Sequence, residues 1–209
     1  MPSEIDVINY ALIKLGQNPI ISLTDDTPVA STVGLIYPLV RDQLQRLFPW
    51  RSCKARKQLA ASTETPEWGY SYKYPVPADN LRIIDVYGGS GEPYHRLGNT
   101  EGPFPRSLWS YENGSILTDI QGPINIIYLK RVTDPNEWDS LQVSAMSAFL
   151  AMELAEPLTN SPQKRSQAAA WFQEIMAAAK NASAQEGNPA IMNPDSKWEQ
   201  ARWDGGGNT

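Results

Sequence analysis

The sequence predicts an α+β fold: a discontinuous four-helix bundle, two helices from each chain end, carrying an inserted small antiparallel β module and an extended C-terminal tail. Three observations predict it. Apolar residues recur at helical spacing near both ends, and short β-branched and aromatic runs between Gly, Pro and Asn fill the middle. The chain then closes on a Gly- and Asn-rich stretch. The expected divisions are residues 1–49 and 136–184 for the two halves of the bundle, 50–135 for the β module and 185–209 for the extension.

Ser3 followed by Asp6 makes a capping pair, with Asp where Glu or Gln is usual, and Ile5, Ile8, Ala11, Leu12 and Leu15 fall on one helical face. Gly16 supplies the stop. After the turn-rich residues 17–26, Thr27 caps a second helix and Pro28 takes its first position. Val29, Val33, Ile36, Val40, Leu44 and Leu47 are expected inward. Pro38 lies inside that run, where it removes the hydrogen bond to the Gly34 carbonyl and predicts a kink.

Residues 81–87 (LRIIDVY) and 124–132 (INIIYLKRV) read as strands, and residues 108–119 as a hairpin turning at Glu112-Asn113-Gly114. Tyr70, Tyr72 and Tyr74 alternate on one face before Pro75 and Pro77 stop regular pairing, which suits an edge strand open to a neighbouring chain. Asp134-Pro135 marks the return to helix. Trp138, Leu141, Ala145, Ala148, Phe149, Met152 and Ala155 form a stripe ending before Pro157.

Ser161 and Pro162 announce the last helix. Its residues 168–184 are alanine-rich enough to let a neighbour approach closely, with Trp171, Phe172, Ile175 and Met176 as bulky contacts. From Gln185 onward the chain cannot form a core alone, yet it carries Ile191, Met192, Trp198 and Trp203, apolar residues that need a partner.

Composition bounds the function. With 209 residues, 41% hydrophobic and 20% charged, the chain is long enough to bury about 70% of its unfolded surface. Cys53, the single cysteine, excludes an internal disulfide, and with His95, the single histidine, it cannot complete a four-ligand zinc site. Eighteen basic and 23 acidic residues give a net charge of -5, so the chain as a whole is repelled by a phosphate backbone and nucleic-acid contact must be local. No run approaches the length of a membrane span, and the N-terminus lacks the basic and apolar regions of a signal peptide. A cytosolic chain without a membrane partner is expected.

Few residues suggest chemistry. His95 sits in Glu92-Pro93-Tyr94-His95-Arg96 with no nucleophile signature nearby, and Gly88-Gly89-Ser90-Gly91 lacks the Lys and helix of a phosphate loop. Asp25-Asp26 and Glu64 with Glu67 are the carboxylate pairs a glycoside hydrolase would use, but their polar, turn-rich surroundings favour caps and loop charges. No catalytic residue, metal, cofactor or small-molecule substrate is expected. Arg51, Lys54, Arg56 and Lys57 form the densest basic run; it fits a solvated strand face better than a DNA site, with pairing to a neighbouring subunit's acids as a third reading.

The order of these motifs carries a resemblance. Residues 7–50 (VINYALIKLGQNPIISLTDDTPVASTVGLIYPLVRDQLQRLFPW) resemble the opening of the phage head-to-tail adaptor family, called tail tubular protein A in short-tailed phages. The matching features are a short helix ending in Leu15-Gly16, a turn with Pro19, and a long helix closing on Leu47-Phe48-Pro49-Trp50. Residues 72–86 (YKYPVPADNLRIIDV) match the family's Tyr, Pro, Asp, then strand segment, and residues 126–134 followed by Trp138 match its return to helix, so the resemblance spans residues 5–184.

The resemblance implies a structural virion protein of the neck and tail, made in the host cytoplasm. It implies a ring of twelve copies below the portal protein that continues the DNA channel and supports the tail nozzle protein. Under it, Ile191, Met192, Trp198 and Trp203 are expected to meet the portal, and Ala169, Trp171, Phe172, Ile175 and Ala178 to form the subunit interface. Tyr70, Tyr72, Tyr74, Trp109 and Tyr111 are expected to face the nozzle, with Arg51, Lys54, Arg56 and Lys57 contacting DNA or a neighbouring subunit. The rival readings are a virion-associated peptidoglycan hydrolase and a DNA-binding module.

Overall fold

In the computed structural model, which describes residues 2–88 and 109–186, helix α1 (Glu4–Lys14) opens on the predicted cap. The Ser3 hydroxyl accepts from the Asp6 backbone N–H at 3.2 Å, and the Asp6 carboxylate accepts from the Ser3 N–H at 2.8 Å. These bonds from Ser3 hold the Asp6 carboxyl below its ordinary range. Gly16, at φ +68°, ends the helix, and Lys164 donates to the Leu15 carbonyl at 2.6 Å, satisfying a terminal acceptor.

Helix α2 (Pro28–Leu47) is capped by Thr27, whose hydroxyl accepts from the Ala30 N–H at 3.1 Å. The helix continues through Pro38. Its buried residues are Ala30, Val33, Tyr37, Val40, Leu44 and Gln45. Leu47, expected inward, is 59% exposed. It is the last helical residue, and the chain turns extended at Phe48, so Trp50 closes this end instead: its indole N–H donates to the Leu44 carbonyl at 3.1 Å, and its ring lies edge-on to Phe48 at 4.8 Å.

A 3-10 turn (Arg51–Cys53) leads into six strands: β1 (Lys54–Leu59), β2 (Tyr72–Pro75), β3 (Asn80–Tyr87), β4 (Trp109–Glu112), β5 (Ser115–Thr118) and β6 (Ile124–Lys130). They form two three-stranded antiparallel sheets, ordered β1-β6-β3 and β2-β5-β4. The β4–β5 hairpin turns at Asn113 (φ +44°) and Gly114 (φ +71°), the pair of left-handed positions that a two-residue loop requires. The sheets share a core: Leu59, Val86, Ile124, Ile126 and Tyr128 of the first meet Tyr74 and Ile116 of the second.

A second 3-10 turn (Pro135–Glu137) precedes α3 (Ser140–Thr159), capped by Asp139, and α4 (Pro162–Glu186) follows. Helix α3 packs against α1, α2 and α4, and its buried residues fall on every side, as an apolar helix in a core requires. It does not stop before Pro157. It runs two residues past Pro157, which lies exposed in the last turn, and ends at a left-handed Asn160 (φ +47°).

Polar side chains stitch the layers together. The buried Gln45 amide donates to the Val132 carbonyl at 2.7 Å and accepts the Val132 N–H at 3.0 Å, joining α2 to the chain leaving β6. Ser147 donates to the Val7 carbonyl at 2.9 Å, joining α3 to α1, and Asp42 accepts from Arg41 at 3.0 Å and Arg131 at 2.7 Å. Among the described residues the result is a mixed α+β arrangement of four helices and two small antiparallel sheets.

Candidate functional site

The predicted interface helix is divided in two by the fold. Trp171, Phe172 and Ile175, expected at a subunit boundary, are half-buried and pack on the chain's own core, on the face of α4 that meets α3. Trp171 lies edge-on to Tyr10 at 5.4 Å with Lys14 5.0 Å above its ring, and Phe172 stacks on Phe149 at 5.0 Å. Ala168 and Ala179 are buried on the same face. The opposite face carries Ala170, Glu174, Ala177 and Ala178, all exposed, while Ala169 at its flank is half-buried.

The tyrosines separate in the same way. Tyr74 is fully buried, and its hydroxyl donates to the Ile120 carbonyl at 2.8 Å. It is a core residue of the second sheet, so its expected place on a nozzle-facing surface is overturned. A Cβ on Gly122 would lie 2.5 Å from the Tyr74 oxygen, so the close backbone approach needs glycine there. Tyr72 and Trp109 are half-buried against the same core, Tyr70 is half-buried, and Tyr111 is exposed. Among the described strands β2 is an edge of its sheet, as Pro75 and the following Pro77 predict.

Arg51, Lys54, Arg56 and Lys57 are all exposed, the first in the 3-10 turn and the others on β1, an edge of the first sheet. A cavity of about 410 Å³ lies over Arg56, Gln58, Tyr87, Asn125 and Ile127. Burial, then the Asp85 charge, pushes the Tyr87 phenol above its ordinary range. Another, of about 400 Å³, is lined by Trp50, Arg51, Trp138 and the end of α4.

One member of each carboxylate pair is engaged by its own surroundings. Asp25 accepts from the Ile21 and Ser22 N–H groups, as a turn residue does. Glu64 accepts a hydrogen bond from Lys73 at 2.8 Å, which holds its carboxyl below the ordinary range, the opposite of what a general acid needs. Cys53 is buried, and burial pushes its thiol up, with hydrogen bonds from Ser52 and Gln142 acting the other way. Among the described residues no group of three His, Cys, Asp or Glu is placed to hold a metal ion, and no helix is long and apolar enough to cross a membrane. His95 and the tail residues Ile191, Met192, Trp198 and Trp203 lie outside the described residues.

One surface was not marked by sequence reasoning. On the solvent side of α2, Leu35 and Leu39 are 76% and 66% exposed, with Pro38 exposed beside them. The signal was present: Leu35 and Leu39 are one turn apart and fall outside the inward stripe through Val33, Val40 and Leu44. Ile21 and Trp68, 89% and 84% exposed, add isolated apolar groups on loops. Compared with known proteins, the chain matches no family model and no curated sequence.

Proposed function

We propose that this protein is a head-to-tail adaptor of a short-tailed phage, a structural component that docks as a ring of twelve copies beneath the portal, extends the DNA channel and supports the tail nozzle. The observation that carries this reading is the uncovered apolar surface on α2, where Leu35, Pro38 and Leu39 face solvent although the chain has two cores of its own. An exposed leucine pair on one helical face supports a contact with another chain. The order of motifs across residues 5–184 supplies the identity of the assembly.

In this reading the four helices, drawn from both chain ends, form one bundle that makes the ring wall. The β module, with Tyr70, Tyr72, Trp109 and Tyr111, lies toward the nozzle, and residues 185–209 order on the portal through Ile191, Met192, Trp198 and Trp203. Buried Trp anchors contribute about 2 kcal/mol or more each at such interfaces.

Co-sedimentation with portal particles tests the reading. The full chain is expected to pellet with them, and a chain lacking residues 187–209 is expected to keep its helical circular dichroism and lose the particles. Undiminished pelleting of the shortened chain removes the tail's role, and failure of the full chain to pellet removes the adaptor reading.

A further inference from the structure

The exposed face of α2 and the exposed face of α4 are complementary. On α2, Leu35 and Leu39 project as two large side chains one turn apart, and the exposed Arg46 follows two turns beyond Leu39. Arg46 donates to the Leu81 carbonyl and meets no carboxylate among the described residues, and the exposed Arg82 stands beside it, donating to the Arg46 carbonyl at 3.5 Å. On α4, Ala170, Ala177 and Ala178 leave a low surface, and the exposed Glu174 sits among them with no cation partner among the described residues.

We infer that the α2 face of one copy seats on the α4 face of the next copy, with Leu39 lying over Ala177 and Ala178, Leu35 one turn further along toward the exposed Asn181, and Arg46 pairing with Glu174. Alanines let the helix axes close to the roughly 8 Å end of the usual packing range, where leucine side chains fill the gap between them. The inference rests on the ring reading above and names the surfaces that would make the ring.

Geometry fixes the helix directions. Arg46 lies about 10 Å beyond Leu39 along α2, and Glu174 about 6 Å before Ala178 along α4, at 1.5 Å per residue. With the helices antiparallel, Leu39 on Ala178 brings Arg46 within a side chain's reach of Glu174. With them parallel, the two charges lie on opposite sides of the leucine contact. The faces differ, so each copy offers one to either neighbour, as a closed ring needs; leucine against leucine across a two-fold would close after two copies and leave Glu174 unpaired.

Disulfide trapping tests this on the full chain. Leu39→Cys and Ala178→Cys are prepared as separate variants; native Cys53 is buried and contributes no background. An equimolar mixture, oxidised mildly with and without portal particles, is expected to give a cross-linked pair that neither variant gives alone. A cross-link from Leu39→Cys alone places α2 on α2 and overturns the inference. Assembly of the mixture on portal particles without cross-linking overturns it too, while leaving the adaptor reading intact.

Cross-linking without any affinity for portal supports the contact and removes the adaptor. A chain that stays monomeric under every condition removes both. In parallel, Arg46→Glu is expected to weaken self-association about two- to five-fold, the range of an exposed ion pair, with Glu174→Arg restoring it in the double variant. A double variant no better than Arg46→Glu alone counts against the charge pair.

Discussion

Gln45 shows what one side chain does in this fold. It is fully buried on α2, and both ends of its amide are engaged by the backbone of Val132. Gln45→Leu leaves an N–H and a carbonyl without partners in the interior, so unfolding in urea is expected to show a loss of about 2–4 kcal/mol. A loss under 1 kcal/mol would mean that water or the chain replaces those bonds. No apolar periodicity marks such a residue, and for that reason it was not legible in the sequence, whereas the Ser3 and Asp6 cap, which rests on local spacing, was.

Cys53 belongs to the same scale. Its folded pKa is raised, so the protonated thiol is the form the fold holds. Its contribution to stability is complete below the unfolded pKa near about 8.5 and is lost as pH rises toward the folded value. Urea stability is expected to fall above about pH 8.5, and a thiol reagent at pH 8 to label the unfolded chain promptly and the native chain slowly. Prompt labelling of native protein would contradict this burial.

Among the elements, α4 separates fold from assembly. Its buried face carries Ala168 and Ala179 and its exposed face Ala177 and Ala178. Ala168→Leu overpacks a filled interior and is expected to cost about 1–3 kcal/mol. Ala178→Leu is expected to leave the isolated chain's stability within about 0.5 kcal/mol while impairing association. Equal destabilisation by both, read by thermal unfolding, would place both alanines in the core.

Helix existence and the Asn113-Gly114 turn were legible because they depend on residues close in sequence. Three details were not, because each depends on what lies opposite in space. Leu47 was expected inward but ends its helix beyond the core, Tyr74 was expected on a nozzle-facing surface but faces the other sheet, and Trp171, expected at a neighbour, packs on Tyr10 of its own chain. A stripe in the sequence says that a face is apolar; it does not say whether α3 or another copy covers it.

For the whole molecule, the charge distribution makes a claim that binding can check. The net charge is -5, and Lys54, Arg56 and Lys57 are a local exception on one edge strand. A channel that lets DNA slide needs few fixed cations, so the isolated chain is expected to retain duplex DNA weakly or not at all in a gel shift at about 0.15 M salt. Tight retention with a steep salt slope, lost on replacing those three residues, would make the chain a DNA-binding module instead.

The adaptor account is tested most directly by the native mass of the protein with portal particles. Twelve subunits of 23.2 kDa add roughly 280 kDa to each portal ring, and the account predicts that increment. Portal mass unchanged at saturating protein would contradict it.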